Sequence, residues 1–273
     1  MTFSTDPDHL RTHNYKDSSN LKARKNLYQY EVDRIDIFSK ILDRVLEKTP
    51  TSILDIACGA GDTLARLRTE RNFSGLLVGI DLSPGMIATA EKQNSQDSLA
   101  IEYSVSHALA LPFANNSFDA VMCNYALYHF PDITQGVQEA YRVLKPGGLY
   151  VGGTHQPHNM PRFKAFTLQI AETMGVSRNP IAHERVNTEN LGPLLNIFRT
   201  IEFERYESAI RLTNPDPYLA YINSCRDLSF DLIPTDSQWH DALEIVRKKV
   251  EDEIAINGFF EELTAPGIFI TQK

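Results

Sequence analysis

The run Ser52–Ala57 is short and apolar apart from Ser52 and Asp55, and it passes directly into Cys58-Gly59-Ala60-Gly61. A helical pattern over Asp62–Thr69 follows at once. An apolar segment this short reads as a buried strand, and glycines at its end allow a tight turn into a helix. The same alternation continues down the chain. Leu76–Asp81 is a second strand, with Ser83-Pro84 as cap and first turn of the next helix, and Ile101–Ser106 is a third. Phe118–Asn124 is a fourth strand after the turn residues Asn115-Asn116-Ser117. A helix over Asp132–Leu144 then leads through Pro146-Gly147-Gly148 into a fifth strand, Leu149–Thr154. Strands alternating with helices predict a doubly wound α/β fold, a mainly parallel sheet covered on both faces.

The flanks are less regular. Residues 1–24 are polar and read as an arm or lid before a domain over 25–273. Tyr28, Val32, Ile35, Phe38, Leu42 and Val45 recur at steps of three and four, which predicts one long helix closed by Pro50. Beyond a core at about 50–155, helices are expected at Phe163–Glu172, Glu189–Ile197, Pro217–Asn223 and Trp239–Asn257, the last ended by Gly258. Strand-like runs at Thr200–Glu207 and Gly267–Thr271 return to the sheet and bring it to seven strands. The segments at about 156–198 and 209–257 are then helical inserts over the active site.

Charge and cysteine content narrow the function. A net charge of −8, with the longest cationic cluster, Arg247-Lys248-Lys249, diluted by Glu251, Asp252 and Glu253, argues against a nucleic-acid partner. Cys58, Cys123 and Cys225 are too few and too scattered for a disulfide framework or a zinc site, so no metal is expected and reduced thiols in the cytoplasm are the natural reading. No apolar run approaches the ~20 residues of a membrane span.

Asp81 closes the second strand 22 residues after Gly59. That matches the roughly 20-residue spacing of an acid that binds the two hydroxyls of a ribose. A dinucleotide fingerprint would need a third glycine at position 64, which is Leu64. Asp62 also places a carboxylate where a pyrophosphate would approach the helix N-terminus. A nucleoside carrying an ammonium group suits the turn better.

The run Ile53–Asp62 resembles the first motif of class I S-adenosylmethionine (SAM)-dependent methyltransferases, small-molecule type. Gly79-Ile80-Asp81-Leu82-Ser83-Pro84-Gly85-Met86 resembles the second motif. The segments 108–113, 116–119, 124–132 and 142–148 follow in the family's order and spacing, so the resemblance covers about residues 50–155. It implies SAM as cofactor, held by Gly59, Gly61 and Asp81, with Leu82 and Met86 flanking the adenine. The family's acidic residue after the third strand aligns with His107, followed by Ala108; His107, Ser106 or a backbone carbonyl is left to meet the adenine amino group. Asp55 either organises the loop or contacts the cofactor's amino end. Tyr15 and Arg24 belong to an arm of the kind the family folds over its cofactor, where an arginine pairs with the cofactor carboxylate.

Asn124, a candidate cofactor or acceptor contact, closes the fourth strand and His155 the fifth, so both are candidates to face the transferred methyl, with His129 as a further candidate base. The expected reaction is methyl transfer to oxygen or nitrogen of a small metabolite, by a monomer or homodimer with no nucleic-acid or membrane partner. Two rivals stand beside it. One is a nicotinamide-dependent oxidoreductase, disfavoured by Leu64 and the 124–132 segment. The other is a catalytically silent SAM-binding protein.

Overall fold

The computed structural model describes residues 2–230 and 235–273. Residue 1 of the arm and 231–234 of the second insert therefore lie outside it. Seven strands form the main sheet: β1 (Ser52–Ile56), β2 (Leu76–Asp81), β3 (Glu102–Val105), β4 (Phe118–Met122), β5 (Leu144–His155), β6 (Thr200–Arg205) and β9 (Pro266–Gln272), in the order β3-β2-β1-β4-β5-β9-β6. The first five run parallel, and β9 enters antiparallel between β5 and β6. Strands β1 and β2 are fully or nearly fully buried, which is why they read as continuous apolar runs. Helices Ile37–Leu46 and Asp62–Arg71 cover one face with a core of Ile41, Leu42, Leu64 and Leu67. Helix Ile133–Val143 and the turns near Phe198 cover the other through Val137, Ala140 and Phe198.

Chain order reverses between β1 and β4, neighbours in the sheet that are far apart in sequence. The chain leaves them in opposite directions, which opens a crevice at their carboxyl ends.

Three expectations are corrected. The predicted helix from Tyr28 exists only as Ile37–Leu46. Ahead of it Val32 N–H donates to Ala209 O, Glu31 bridges to Ile210, and Asp36 caps the shortened helix by accepting from Ser39 N–H. The helix expected at Glu189–Ile197 is one turn, Gly192–Leu195. Pro193 cannot sit mid-helix, and the Asn187 side chain takes the N–H groups of Glu189 and Asn190 in a local turn. The second insert is not wholly helical. Its start, β7 (Ser208–Leu212), pairs with β8 (Phe260–Thr264) in a separate two-stranded sheet. That sheet carries helices Pro161–Met174, Asp216–Ser224 and Asp236–Asn257 around a second core of Phe166, Tyr218, Phe230, Trp239 and Phe260.

The arm is ordered into helical turns ending in helix Ser19–Leu27, which packs on helix Asp216–Ser224. Its backbone lies against the start of helix Pro84–Asp97. Ser83 Oγ donates to Tyr15 O at 2.6 Å, and a Cβ on Gly85 would stand 1.8 Å from Lys16 O. Gly85→Ala must therefore displace the arm while leaving the Ser83 cap in place. The expected result is faster proteolysis within the first 18 residues and weaker cofactor binding, both read against the unaltered protein; equal cleavage and equal affinity would show that the arm's docking is irrelevant to the site.

Candidate active site

A cavity of about 1000 Å³ opens at the reversal point, between the carboxyl ends of β1, β2, β4 and β5 and under the arm. That is the upper end of the range for small-ligand pockets, room for two molecules. Asp55, Gly59, Asp81, Leu82, Met86, His107, Ala108, Asn124, His129, His155, Tyr15 and Arg24 all line it. Of the residues expected at the site, Gly61 alone does not. It turns the chain at φ +82°, and a Cβ there would stand 2.4 Å from the Tyr103 hydroxyl behind the loop. Gly61 thus shapes the turn, and Gly59, at φ +57°, borders the ligand space.

Two lining residues other than glycine hold left-handed backbone. Ala57 and Tyr125 hold φ values of +57° and +52°, just past the ends of β1 and β4. A left-handed aromatic residue costs on the order of 1 kcal/mol or more and persists only where the surroundings enforce it. Gly153 makes room for the Tyr125 ring, since a Cβ there would lie 2.5 Å from it.

Asp81 accepts from Gly59 N–H at 2.9 Å through one oxygen and from Ser83 N–H at 2.8 Å through the other. A carboxylate has about four acceptor positions, so each oxygen keeps one for a diol. Burial raises its pKa, and the backbone donors oppose that rise. Asp55 is buried at 2% exposure with Oδ1 unpartnered, and burial followed by the Asp81 charge lifts its pKa to about 7. Asn124 Oδ1 accepts from Gly153 N–H at 3.1 Å, which leaves Nδ2 a buried donor without a partner. An orphaned acceptor and an orphaned donor in one crevice are unusual in a folded protein and mark a place a ligand completes.

The histidines are not poised as bases. His129 Nδ1 donates to Ser4 O at 2.9 Å while Nε2 accepts from the Tyr15 hydroxyl at 2.8 Å. Burial, and then the Arg24 and Arg185 charges, lower its pKa to about 4 against the opposing pull of the Ser4 carbonyl. Both nitrogens of His129, the further candidate base, are engaged in pinning the arm. His155 lies under the Tyr125 ring at 4.9 Å, its Nδ1 without a partner, and burial with His183 holds its pKa at about 3. It is neutral at pH 7 and weakly basic. His107 Nδ1 accepts from Leu109 N–H at 3.1 Å, so the neutral ring's other nitrogen is a donor. A donor there suits an adenine ring nitrogen, and of the alternatives the sequence offered, Ser106 or a backbone carbonyl is left for the amino group.

Arg24 donates to the Tyr15 hydroxyl, Asn14 Oδ1, Ser224 Oγ and Ser224 O, and has no carboxylate partner among the described residues. Asp62, at the helix N-terminus, pairs with Lys25 of the arm across the cavity mouth. Sequence reasoning did not single out Tyr28, Glu31 or Tyr128 for the site; they line the cavity together with Tyr221, an aromatic of the helical inserts. The tyrosine-rich composition was visible, but no local pattern joins these positions.

A family model described as a methyltransferase domain matches residues 54–152. Demethylmenaquinone methyltransferase of Thermus thermophilus is 40% identical over 112 residues, 41% of this chain and 50% of that protein. The chain thus spans about half the length of the curated relatives it matches. Among solved structures, Haemonchus contortus phosphoethanolamine N-methyltransferase 2 in complex with S-adenosyl-L-methionine superimposes with a TM-score of 0.61 at 21% identity, covering 98% of this chain and 59% of that one. A [4+2]-cyclase superimposes at 0.56 with 18% identity, over 87% of this chain and 80% of that one, so likeness at this level speaks for the fold alone. The matched family model makes residues 54–152 a methyltransferase domain, and the strand order and the glycine turn are those expected from the class I SAM-dependent resemblance.

Proposed function

We propose that the chain binds SAM in this cavity and transfers its methyl group to an oxygen or nitrogen of a small molecule. One observation carries the reading: a diol-competent carboxylate, Asp81, shares one cavity with the orphaned Asp55 Oδ1 and Asn124 Nδ2. Asp81 would take the ribose, and His107 Nε2 an adenine nitrogen between Leu82, Met86 and Ala108. Asp55 Oδ1 would accept from the α-ammonium group, and Arg24, lacking a carboxylate partner, would face the α-carboxylate. Bound there, the cofactor supplies a methyl group on a positively charged sulfur, already activated for in-line displacement.

The protein's own contribution is then placement and the exclusion of water. Tyr15, held by Arg24 and His129, closes the arm over the cavity. Neutral His155 and the Tyr125 ring shape the wall at the ends of β4 and β5. A dinucleotide fits poorly, because Asp62 with its Lys25 partner stands at the helix end where a pyrophosphate would bind. The tyrosine-lined cavity suits a metabolite, and the net charge of −8 disfavours a polynucleotide. We include a cytoplasmic monomer or homodimer in the proposal. Among the described residues no helix is long and apolar enough to cross a membrane.

Calorimetric titration tests the cofactor. SAM and its demethylated product S-adenosylhomocysteine (SAH) are expected to bind and NAD to give no heat; the reverse pattern would overturn the reading. Methylation of any small acceptor would exclude a silent binding protein, and methylation confined to a nucleic acid or protein would sink the small-molecule assignment.

A further inference from the structure

One part of the cavity is not lined by the ends of β1, β2 and β3. Tyr28, Glu31, Tyr125, Tyr128 and Tyr221 border it, beside His155. The hydroxyls of Tyr125, Tyr128 and Tyr221 have no hydrogen-bond partner among the described residues, and Tyr28 reaches only Met160 Sδ at 3.8 Å. Burial and then the Glu31 charge raise the Tyr28 pKa; burial, Tyr28 and Glu31 do the same for Tyr125. The carboxylate and these two phenols therefore lie within one electrostatic neighbourhood.

Glu31 itself is half-buried. Oε1 accepts from Thr264 Oγ1 at 2.7 Å and Oε2 from Ile35 N–H at 3.3 Å. It stands in no ion pair among the described residues, with Arg34 acting only at longer range. The other acids that line the cavity are otherwise employed. Asp36 and Glu70 pair with Arg66, Asp62 pairs with Lys25, and Asp55 and Asp81 lie at the ends of β1 and β2. A half-buried carboxylate without a counter-charge calls for a cation, and the electron-rich faces of tyrosine attract the same kind of group. An anionic acceptor would meet repulsion here, and a neutral one would leave the carboxylate uncompensated.

We infer that the methyl acceptor is a small amine, held in its ammonium form by Glu31 and the rings of Tyr28 and Tyr125. This deepens the methyl-transfer reading and rests on it. The ammonium passes one proton to the Glu31 carboxylate, which becomes a carboxylic acid, and the nitrogen gains a lone pair. That pair forms the new N–C bond to the methyl carbon as the C–S bond breaks, its electrons passing to sulfur. The product nitrogen carries the positive charge, and Glu31 returns its proton to water. Tyr128 and Tyr221, with free hydroxyls, would hold the remainder of the acceptor.

The test is calorimetric binding of choline and of its uncharged isostere, 3,3-dimethylbutan-1-ol, to SAH-saturated protein. Choline is expected to bind about tenfold or more tightly than the isostere. Glu31→Gln, which preserves shape and can keep both hydrogen bonds, is expected to weaken choline by a similar factor and leave SAH affinity unchanged. Equal binding of choline and the isostere, absence of choline binding, or Glu31→Gln binding choline as the unaltered protein does, would each overturn the cation site. The isostere comparison needs no variant, so a folding defect in Glu31→Gln leaves it decisive. If SAH itself fails to bind, the cofactor reading falls, and the same titrations on ligand-free protein still decide the cation site.

Discussion

Asp81→Ala is expected to weaken SAM binding by about 100-fold or more, the largest loss from any single change at this site. Each hydrogen bond to a charged acceptor is worth ~1.5–3 kcal/mol, and the diol makes two. The variant also frees Gly59 N–H and Ser83 N–H, which hold the loops on either side of the ligand space. Stability of the ligand-free protein is expected to change little, because the buried carboxylate is itself costly, as its raised pKa indicates. Calorimetric titration beside a thermal melt separates these effects. A folded Asp81→Ala protein that binds SAM with unchanged affinity would rule out Asp81 as the ribose anchor.

Asp55→Asn is expected to act in opposite directions on stability and on binding. The Asp55 pKa rises from 3.8 to about 7 in the folded protein, because burial and the Asp81 charge disfavour the ionised form. The folded state then holds a proton that the unfolded chain has released, so stability is fully present below about pH 4 and is lost as pH rises through about 7. A shift of roughly three units corresponds to ~4 kcal/mol at most. The substituted amide cannot ionise, so the ligand-free variant should melt higher than the unaltered protein at pH 8 and close to it at pH 4. Some slope will persist, since Glu262, buried beside Tyr218, is also lifted to about 7. SAM binding should fall in the same variant, because an amide offers an ammonium group less than a carboxylate does. Melting curves across this pH range that superimpose for the two proteins would show that Asp55 is not held protonated. Gain of stability with loss of binding is the pattern expected of a residue kept for its ligand.

What the sequence determined by itself was the framework and the cofactor half of the site. β1, β2 and β4 were legible because a strand buried on both faces is mostly apolar, and the turn after β1 because left-handed backbone at Gly59 and Gly61 favours glycine. Asp81 was legible from its spacing, which the length of one βαβ step sets. The misreadings came where local pattern competed with a distant partner. The stripe from Tyr28 has a helix's period, yet Val32 donates to Ala209, far along the chain, and the helix begins only at Ile37, capped by Asp36. His129 sits where a base is expected, and only the folded arm shows its acceptor nitrogen bonded to Tyr15. Glu31, Tyr28, Tyr125, Tyr128 and Tyr221 come from three separate stretches of chain and share no spacing rule. Their meeting in one cavity was decided by the tertiary structure, since it depends on β7 and β8 carrying the roof helices over the open ends of the sheet.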